Sequence, residues 1–585
     1  MEKKTVDAVT IEIVGNLLLS AAEEVGIAIV RSSYSNNIKE RRDISTAVFD
    51  PEGNLIAQAE YIAMHMGSLL TSVKEVLKKY PLEDIHDGDM FIGNDPYKGG
   101  GTHLPDITVT CPVFGNGKLI GWIANLGHHS DIGGRVPGSQ SGDAVSIFEE
   151  GLRIPLVKVC VDDVPQMSVI EFIMDNSRLS DERYGDLMAQ IAGNRVGRKR
   201  IQEAFDRWQD TLVDAMYALE DYTERRMRAG IERLPDGVYT FEDYMDPSYM
   251  FHDQPGRIAV KVTVRGNSMN FDFTGTAEQV EAPINLTYNG LMATVFYCMK
   301  ALIDPEIPTN IGIARTFTIT AEEGLLVNCK SPSAVAARID SAMRVVDVIF
   351  GAMDPIVGNR AMACCSSTCT TPTFSGYAPT DIHKEHYLLY LEVIAGGSGA
   401  YPDMDGFSGV QVHMTNTSNL PIEALEMEFP LLNILEYRYR TNSGGAGKFR
   451  GGCGIERRYE AVADEVTVTL LGDRHVIPPW GLEGGHAGQG GANILFHADG
   501  RTERFGSRLT NYTMKKGDIL SVSSPGSGGY GNPLLREPEA VLTDVIEGKI
   551  DLDESRKYGV AIERNEKGFY IDREATRKLR EKAQI

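Results

Sequence analysis

From Asp7 to about Ser33, Ile11, Val14, Leu17, Leu18, Ala21, Val25 and Ala28 recur at three- and four-residue steps, with Glu23 and Glu24 on another face. That spacing is the period of an amphipathic helix. A second helix is expected over Ser68 to Lys79, with Ser68 as its cap and Lys78 and Lys79 at the end where the helix dipole favours cations. Between them, Ser45 to Asp50 and Asn54 to Glu60 have the pattern of two short strands joined by the turn Asp50-Pro51-Glu52-Gly53. Further on, Ile107 to Phe114 and Leu119 to Leu126 are β-type runs separated by Gly115-Asn116-Gly117, a strong hairpin signal.

Asp175 to Gly230 has the pattern of long, charge-rich helices. The character changes near Leu234. Gly237-Val-Tyr-Thr-Phe, Ile258-Ala-Val-Lys-Val-Thr-Val and Met269-Asn-Phe-Asp-Phe-Thr alternate at period two, as one-face-buried strands do. Helices are expected at Asn289 to Ile303 and Ala342 to Ala361, and glycine-punctuated β structure from there to about Pro533. The fold class expected is therefore α+β, mixed and multidomain. It divides into an N-terminal, metal-carrying α/β region (1–233), a β-rich region (234–533) and a charged, helical C-terminal tail (534–585).

Composition narrows the function classes. The 585-residue chain is longer than one hydrophobic core usually serves. A formal net charge of −23 argues against nucleic-acid binding, which relies on cationic patches that release counterions. No apolar run is expected to approach the roughly 20 residues of a membrane span, and no signal core follows Lys3-Lys4. Eight cysteines are too sparse for a disulfide scaffold, so reduced thiols and a cytoplasmic location are expected.

The candidate chemistry lies at the open end of the hairpin, in Gly99-Gly-Gly-Thr-His103-Leu-Pro-Asp106 and Asn125-Leu-Gly-His128-His129-Ser-Asp131. A turn centred on Asn116 sets His103 opposite His129, with His128 one position away and Asp106 two to three residues along. Strands about 4.8 Å apart let two imidazoles and a carboxylate converge there. Nitrogen and oxygen donors without thiolate suit a borderline or hard divalent cation, and three protein ligands leave coordination positions for water. Because strand side chains alternate faces, the geometry alone leaves His128 and His129 as alternatives.

The chain resembles the hydantoinase B family, which includes N-methylhydantoinase and caprolactamase B subunits, the C-terminal part of 5-oxoprolinase, and acetone and acetophenone carboxylase subunits. The resemblance rests on Glu40-Arg-Arg-Asp43-Ile-Ser45, Met64-His65-Met-Gly67, Gly93-Asn-Asp95-Pro-Tyr-Lys-Gly-Gly-Gly-Thr-His103-Leu-Pro-Asp106, Gly127-His-His-Ser-Asp131-Ile-Gly-Gly, Glu281-Ala-Pro-Ile-Asn285 and Gly396-Gly-Ser-Gly-Ala. It continues through His413-Met-Thr-Asn-Thr417, Glu423-Ala-Leu-Glu426, Ser443-Gly-Gly-Ala-Gly-Lys-Phe-Arg-Gly-Gly452 and Gly528-Gly-Tyr-Gly-Asn-Pro533. It implies one divalent metal ion of the zinc, manganese or iron class on His103, Asp106 and His128. Asp43 is implied as a further ligand or base, and His129, Asp131 and His65 as supporting or catalytic groups. Lys98 and Arg338 are candidate cations for negative charge on the substrate.

The resemblance also implies a division of labour. A hydantoinase A type partner, in a heterotetramer or larger complex, would bind ATP and Mg and phosphorylate the amide oxygen of a cyclic amide. Water activated at the metal of this chain would then open the ring. A ketone carboxylase subunit is the nearest alternative, and a non-catalytic scaffold subunit is the alternative of another class. Two other motifs carry less. Cys364-Cys-Ser-Ser-Thr-Cys369 has neither zinc nor thioredoxin spacing, and small buried packing residues are expected there. Ser443-Gly-Gly-Ala-Gly-Lys448-Phe lacks the first glycine and the final Ser or Thr of a phosphate loop.

Overall fold

The computed structural model describes residues 6–248, 251, 253–378, 386–416 and 418–583, so that Thr417 of the His413–Thr417 motif lies outside them. The first helix, α1 (Ala8–Ser32), starts where Asp7 accepts the N–H groups of Val9 and Thr10. It is long and apolar enough to cross a membrane by length and composition, which corrects the expectation that no such run exists. One face of it, with Val14, Leu18, Ala21, Ala22, Val25 and Ile29, is buried within the protein.

After α2 (Asn36–Lys39) come β1 (Ile44–Phe49), β2 (Leu55–Gln58), α3 (Met64–Lys79), β3 (Met90–Gly93), β4 (Asp106–Gly115), β5 (Lys118–His128), β6 (Val157–Val161) and β7 (Val164–Pro165). These strands form one sheet in the order β2-β1-β5-β4-β3-β6-β7, with antiparallel pairing throughout. The helices α4 (Met167–Met174), α5 (Ser180–Trp208) and α6 (Asp210–Ile231) come next in the chain.

Alternation along β4 divides its side chains between two faces. Ile107, Val109, Cys111 and Val113 join the apolar core with residues of α1, α5 and α6. Asp106, Thr108 and Thr110 project from the other face. That second face carries α3, which begins at Met64 rather than at Ser68 and has no side-chain cap. The earlier start matters because it places His65 on the helix, over the sheet.

The strands expected after Leu234 form as β8 (Gly237–Met245), β9 (Gly256–Arg265) and β10 (Ser268–Asp272), joined by β11 (Phe317–Thr320) in parallel with β10. The two later helices are α7 (Tyr288–Ile303) and α8 (Arg338–Val357). Contacts divide the chain into two units. Unit 1 comprises Met1–Thr240, Ala259–Val346 and Met414–Ser418, and unit 2 comprises Phe241–Ile258, Asp347–His413 and Asn419–Ile585. The boundary expected at 233/234 thus falls close to the first exchange. The stretch Ala259–Val346, expected in the second region, belongs to unit 1 instead, and 534–585 counts with unit 2.

Unit 2 is β-rich. It contains a four-stranded sheet from Thr371–Tyr377, Tyr387–Leu391, Glu465–Leu471 and Leu509–Lys515, and a five-stranded sheet that includes Leu432–Tyr439, Ile455–Ala461 and Ile519–Ser523. Phe374, Tyr390, Tyr459, Val466 and Leu520 belong to their shared core. The C-terminal tail is not helical throughout: between helices Pro538–Ile546 and Arg573–Ala583 it carries a β-hairpin, Ile562–Asn565 with Gly568–Ile571.

Candidate metal centre

The site is built on a turn that only two residues make. Asn116 and Gly117 both have positive φ, 49° and 75°, as a two-residue hairpin loop of the primed kind requires. Beside the turn Gly115 pairs with Lys118 and Phe114 with Leu119, but Val113 pairs with Gly121. The extra residue on β5 is a bulge, and it shifts the whole distal ladder by one. Asp106 therefore faces His128 directly, instead of His103 facing His129. On the other side of β5, the His128 N–H donates to the Asp43 carbonyl at 3.0 Å. Asp43, His128 and Asp106 stand abreast across three strands.

His103 reaches the same place from outside the ladder. Its carbonyl accepts the Asp106 N–H at 3.2 Å in a tight turn, and its Nε2 lies 3.3 Å from Asp106 Oδ1. The turn depends on Gly101, whose φ is +55° and where a Cβ would lie 2.4 Å from the Asp106 Cβ. One ligand atom from each of His103, Asp106 and His128 lies within 4.8 Å of the others, and all three residues are buried.

The hydrogen bonds of the cluster use some of its donor atoms and pass over others. The Ala336 carbonyl accepts from His103 Nδ1 at 3.1 Å, which leaves Nε2 as a lone pair. Asp106 Oδ2 accepts from the Thr102 N–H at 3.1 Å, the Thr102 hydroxyl at 3.0 Å and Arg338 at 3.1 Å. His103 Nε2 and Asp106 Oδ1, both buried, have no hydrogen-bond partner among the described residues. Buried polar atoms are rarely left so, and an ion is an ordinary reason. Asn37 Nδ2 lies 2.7 Å from His128 Nδ1 and Gln140 Nε2 lies 3.2 Å from its Nε2; a neutral imidazole accepts at one of these nitrogens alone, and Arg41 fixes the Asn37 amide by donating to its Oδ1.

The electrostatics agree with a ligand set. Burial, with Arg338 nearby, pushes His103 down to about 4, so its imidazole is neutral at pH 7. Burial and the neighbouring His103 hold His128 well below its ordinary range. Burial opposes ionisation of Asp106, but His103, His65 and Arg338 around it hold its carboxyl well below the usual value. Asp43 is the exception: burial raises it, against the opposing pull of His65 and Arg41.

The other expected residues divide. His65 is in the site, with Nδ1 3.2 Å from the Ser45 hydroxyl and Nε2 3.5 Å from Asp106 Oδ1 and 3.9 Å from Asp43 Oδ1. His129 points the other way, to Gln190 Oε1 on α5 at 2.9 Å, as alternation after His128 demands. Asp131 is an anchor for its own loop and the start of α5. Its oxygens accept the N–H groups of Gly133, Gly138 and Arg178 and pair with the Arg178 guanidinium at 2.9 Å. Arg338 is not free for a substrate: it is buried, binds Thr102 Oγ1 at 2.9 Å and neutralises Asp106. Lys98 is exposed and lines a cavity of about 740 Å³ with Thr108, Thr110, Asp95 and Arg153.

Asn37, Gln140 and the Ala336 carbonyl, which stand outside the quoted motifs, also touch the cluster, as does Thr102 beside His103. Asn37 comes from α2, and Gln140 and Ala336 from loops outside the β4–β5 hairpin, so no local pattern marks these three.

A second donor group, Asp243, Asp347 and Cys364, lies in unit 2. The Arg474 guanidinium occupies it, 2.5 Å from Asp243, 3.1 Å from Asp347 and 2.9 Å from Cys364 Sγ, so the carboxylates already have their cation. Cys364 and Cys365 are buried, as expected for packing residues. The glycine-rich run at 443–452 packs against backbone: a Cβ at Gly444 would lie 2.1 Å from the Gly451 carbonyl oxygen.

Known proteins share this architecture. A model of the hydantoinase B/oxoprolinase family matches residues 7–533. The chain is 30% identical to the caprolactamase subunit beta of Pseudomonas jessenii, over 96% of this chain and 97% of that one. It is 33% identical to 5-oxoprolinase 1 of Arabidopsis thaliana, over 91% of this chain but 42% of that longer one. Among solved structures, the ATP-dependent caprolactamase from Pseudomonas jessenii superposes with a TM-score of 0.91 at 29% identity, covering 99% of this chain and 100% of that one. A nucleotide-free acetone carboxylase shares the fold, with a TM-score of 0.91 at 20% identity, covering 99% of this chain and 83% of that one.

Proposed function

Since the chain belongs to the hydantoinase B/oxoprolinase family, we propose that it is the metal-carrying, hydrolytic subunit of an ATP-dependent cyclic amidase. The observation that carries this reading is a pair of buried atoms, His103 Nε2 and Asp106 Oδ1, that lie 3.3 Å apart beside His128 without a hydrogen-bond partner among the described residues. His103, Asp106 and His128 would hold one divalent cation of the zinc, manganese or iron class, with Asp43 as a further oxygen donor or base. Such a cation supplies Lewis acidity and lowers the pKa of water.

The chain's own residues do the rest. Arg338 and Thr102 occupy Asp106 Oδ2, so that the carboxylate presents Oδ1 alone. His65 Nε2, between Asp43 and Asp106, takes a proton from the water that adds to the carbon and gives it to the leaving ring nitrogen, which opens the ring to an acyl phosphate; a second water then releases inorganic phosphate and leaves the carboxylate. The cavity beside Thr108 lies on the same face of β4 as Asp106, about 7 Å along the strand. Lys98 at that cavity meets the anionic end of an amide already phosphorylated. ATP and Mg belong to a partner of the hydantoinase A type, in keeping with the subunit name of the caprolactamase relative.

The test is to purify the chain with its partner, determine its metal, and supply ATP with hydantoins, oxoproline and lactams. Ring opening and ADP release without bicarbonate are expected. Turnover that requires a ketone and bicarbonate would replace the amidase by a carboxylase, and an active complex without metal would leave only a scaffold role.

A further inference from the structure

Glu150 stands outside the ligand set and the proton path, yet it is among the most enclosed acids in unit 1, with 1% of its surface exposed. Its Oε1 accepts two backbone N–H groups, from Val335 and Ala336, each at 2.7 Å, across a sequence gap that only the tertiary fold closes. Burial pushes its carboxyl up to about 8, although the two N–H groups and Arg338 oppose the rise. Its Oε2 has no hydrogen-bond partner among the described residues. A buried acid in that condition costs stability, so its retention calls for a reason beyond packing.

The reason lies in the contacts of the gripped segment. The Ala336 carbonyl is the acceptor for His103 Nδ1. Arg338, two residues on, spans Thr102 Oγ1 and Asp106 Oδ2. The flanks of the segment have other ties: the Ala334 carbonyl accepts from Asn285 at 3.1 Å, and the Ala337 N–H donates to the Pro283 carbonyl at 2.8 Å. The N–H groups of Val335 and Ala336, between those ties, go to Glu150.

We propose that Glu150 is a positioning residue for the metal centre, gripping the chain at Val335 and Ala336 so that the Ala336 carbonyl and Arg338 meet His103 and Asp106. This rests on the metal reading of the site. The grip acts at two ligands at once: it sets the tautomer of His103 through the carbonyl, and it fixes which oxygen of Asp106 stays open through Arg338. Groups that orient metal ligands in this way typically matter about 10- to 100-fold in metal affinity.

The property required of position 150 is an acceptor oxygen at the right reach, not a charge. Glu150→Gln keeps that oxygen, Glu150→Asp withdraws it by one carbon, and Glu150→Ala removes it. The full-length chain, stripped of metal, is titrated with Co2+ while the visible absorption bands of the bound ion are recorded, and thermal unfolding of each metal-free protein is followed in parallel. Glu150→Gln is expected to bind within about threefold of wild type with the same bands. Glu150→Asp and Glu150→Ala are expected to lose about 10- to 100-fold in affinity and to shift the bands.

Wild-type affinity and bands in Glu150→Asp or Glu150→Ala would overturn the proposal, as would a Glu150→Gln as weak as Glu150→Ala. If Glu150→Ala does not fold, the contrast between Asp and Gln decides; if neither Ala nor Asp folds, the residue is structural and the proposal fails. A wild-type chain that takes up no Co2+ would instead defeat the metal reading itself.

Discussion

Asp106 lies directly across the β4–β5 ladder from His128, and that pairing exists because of a bulge beyond Val113 rather than because of the turn. A side chain one step along a strand faces the opposite side of the sheet. Without the extra residue the ladder would not bring these two donors abreast, and the alternation would set one of them on the α5 side.

Removal of one imidazole should empty the centre without unfolding the chain. His103→Ala is expected to reduce bound divalent metal from about one ion per chain to a small fraction, and ATP-dependent ring opening by at least about 100-fold. Elemental analysis of the purified complex and a turnover assay check both. Metal retained in full would remove His103 from the ligand set.

Arg338→Met leaves Asp106 buried without its cation. Breaking one side of a buried ion pair costs about 3–5 kcal/mol, and this is expected in chemical denaturation of the metal-free protein. Added Zn2+ or Mn2+ should restore part of that loss, because a bound cation compensates the same carboxylate. An equal loss with and without metal would sever Arg338 from the centre.

Lys98 makes a different demand, since it lies on the cavity and not in the cluster. Lys98→Gln is expected to raise KM for the amide substrate about tenfold while leaving metal content unchanged and kcat within about threefold. A fall in kcat at constant KM would contradict its assignment to binding.

Stability toward acid should carry the mark of two histidines in unit 2. Burial pushes both His413 and His475 down to about 4 from 6.5. As pH falls below 6.5, the unfolded chain takes up protons that the folded chain does not, so stability declines through the window from 6.5 to about 4 and is unaffected by these groups above it. Urea midpoints measured across that window should fall, and His475→Asn should flatten the slope. Because buried acids such as Glu150 act with the opposite sign over the same window, the comparison decides: equal slopes in the wild type and His475→Asn would contradict the burial argument.

Much of the site was legible along the chain. The Asn116-Gly117 turn, the two β runs, the donors His103 and Asp106 and the His128-His129 pair are local features, written in turn chemistry and two-residue alternation. So is the apolar stripe of α1. What tertiary structure decided is everything that depends on register or on meeting a distant segment. The bulge chose His128 over His129, because alternation converts one inserted residue into a change of face. The fold pairs Arg338 with Asp106 and brings Asn37 and Gln140 to His128 and the Ala336 carbonyl to His103, since hydrogen bonds between remote segments leave no period in a sequence.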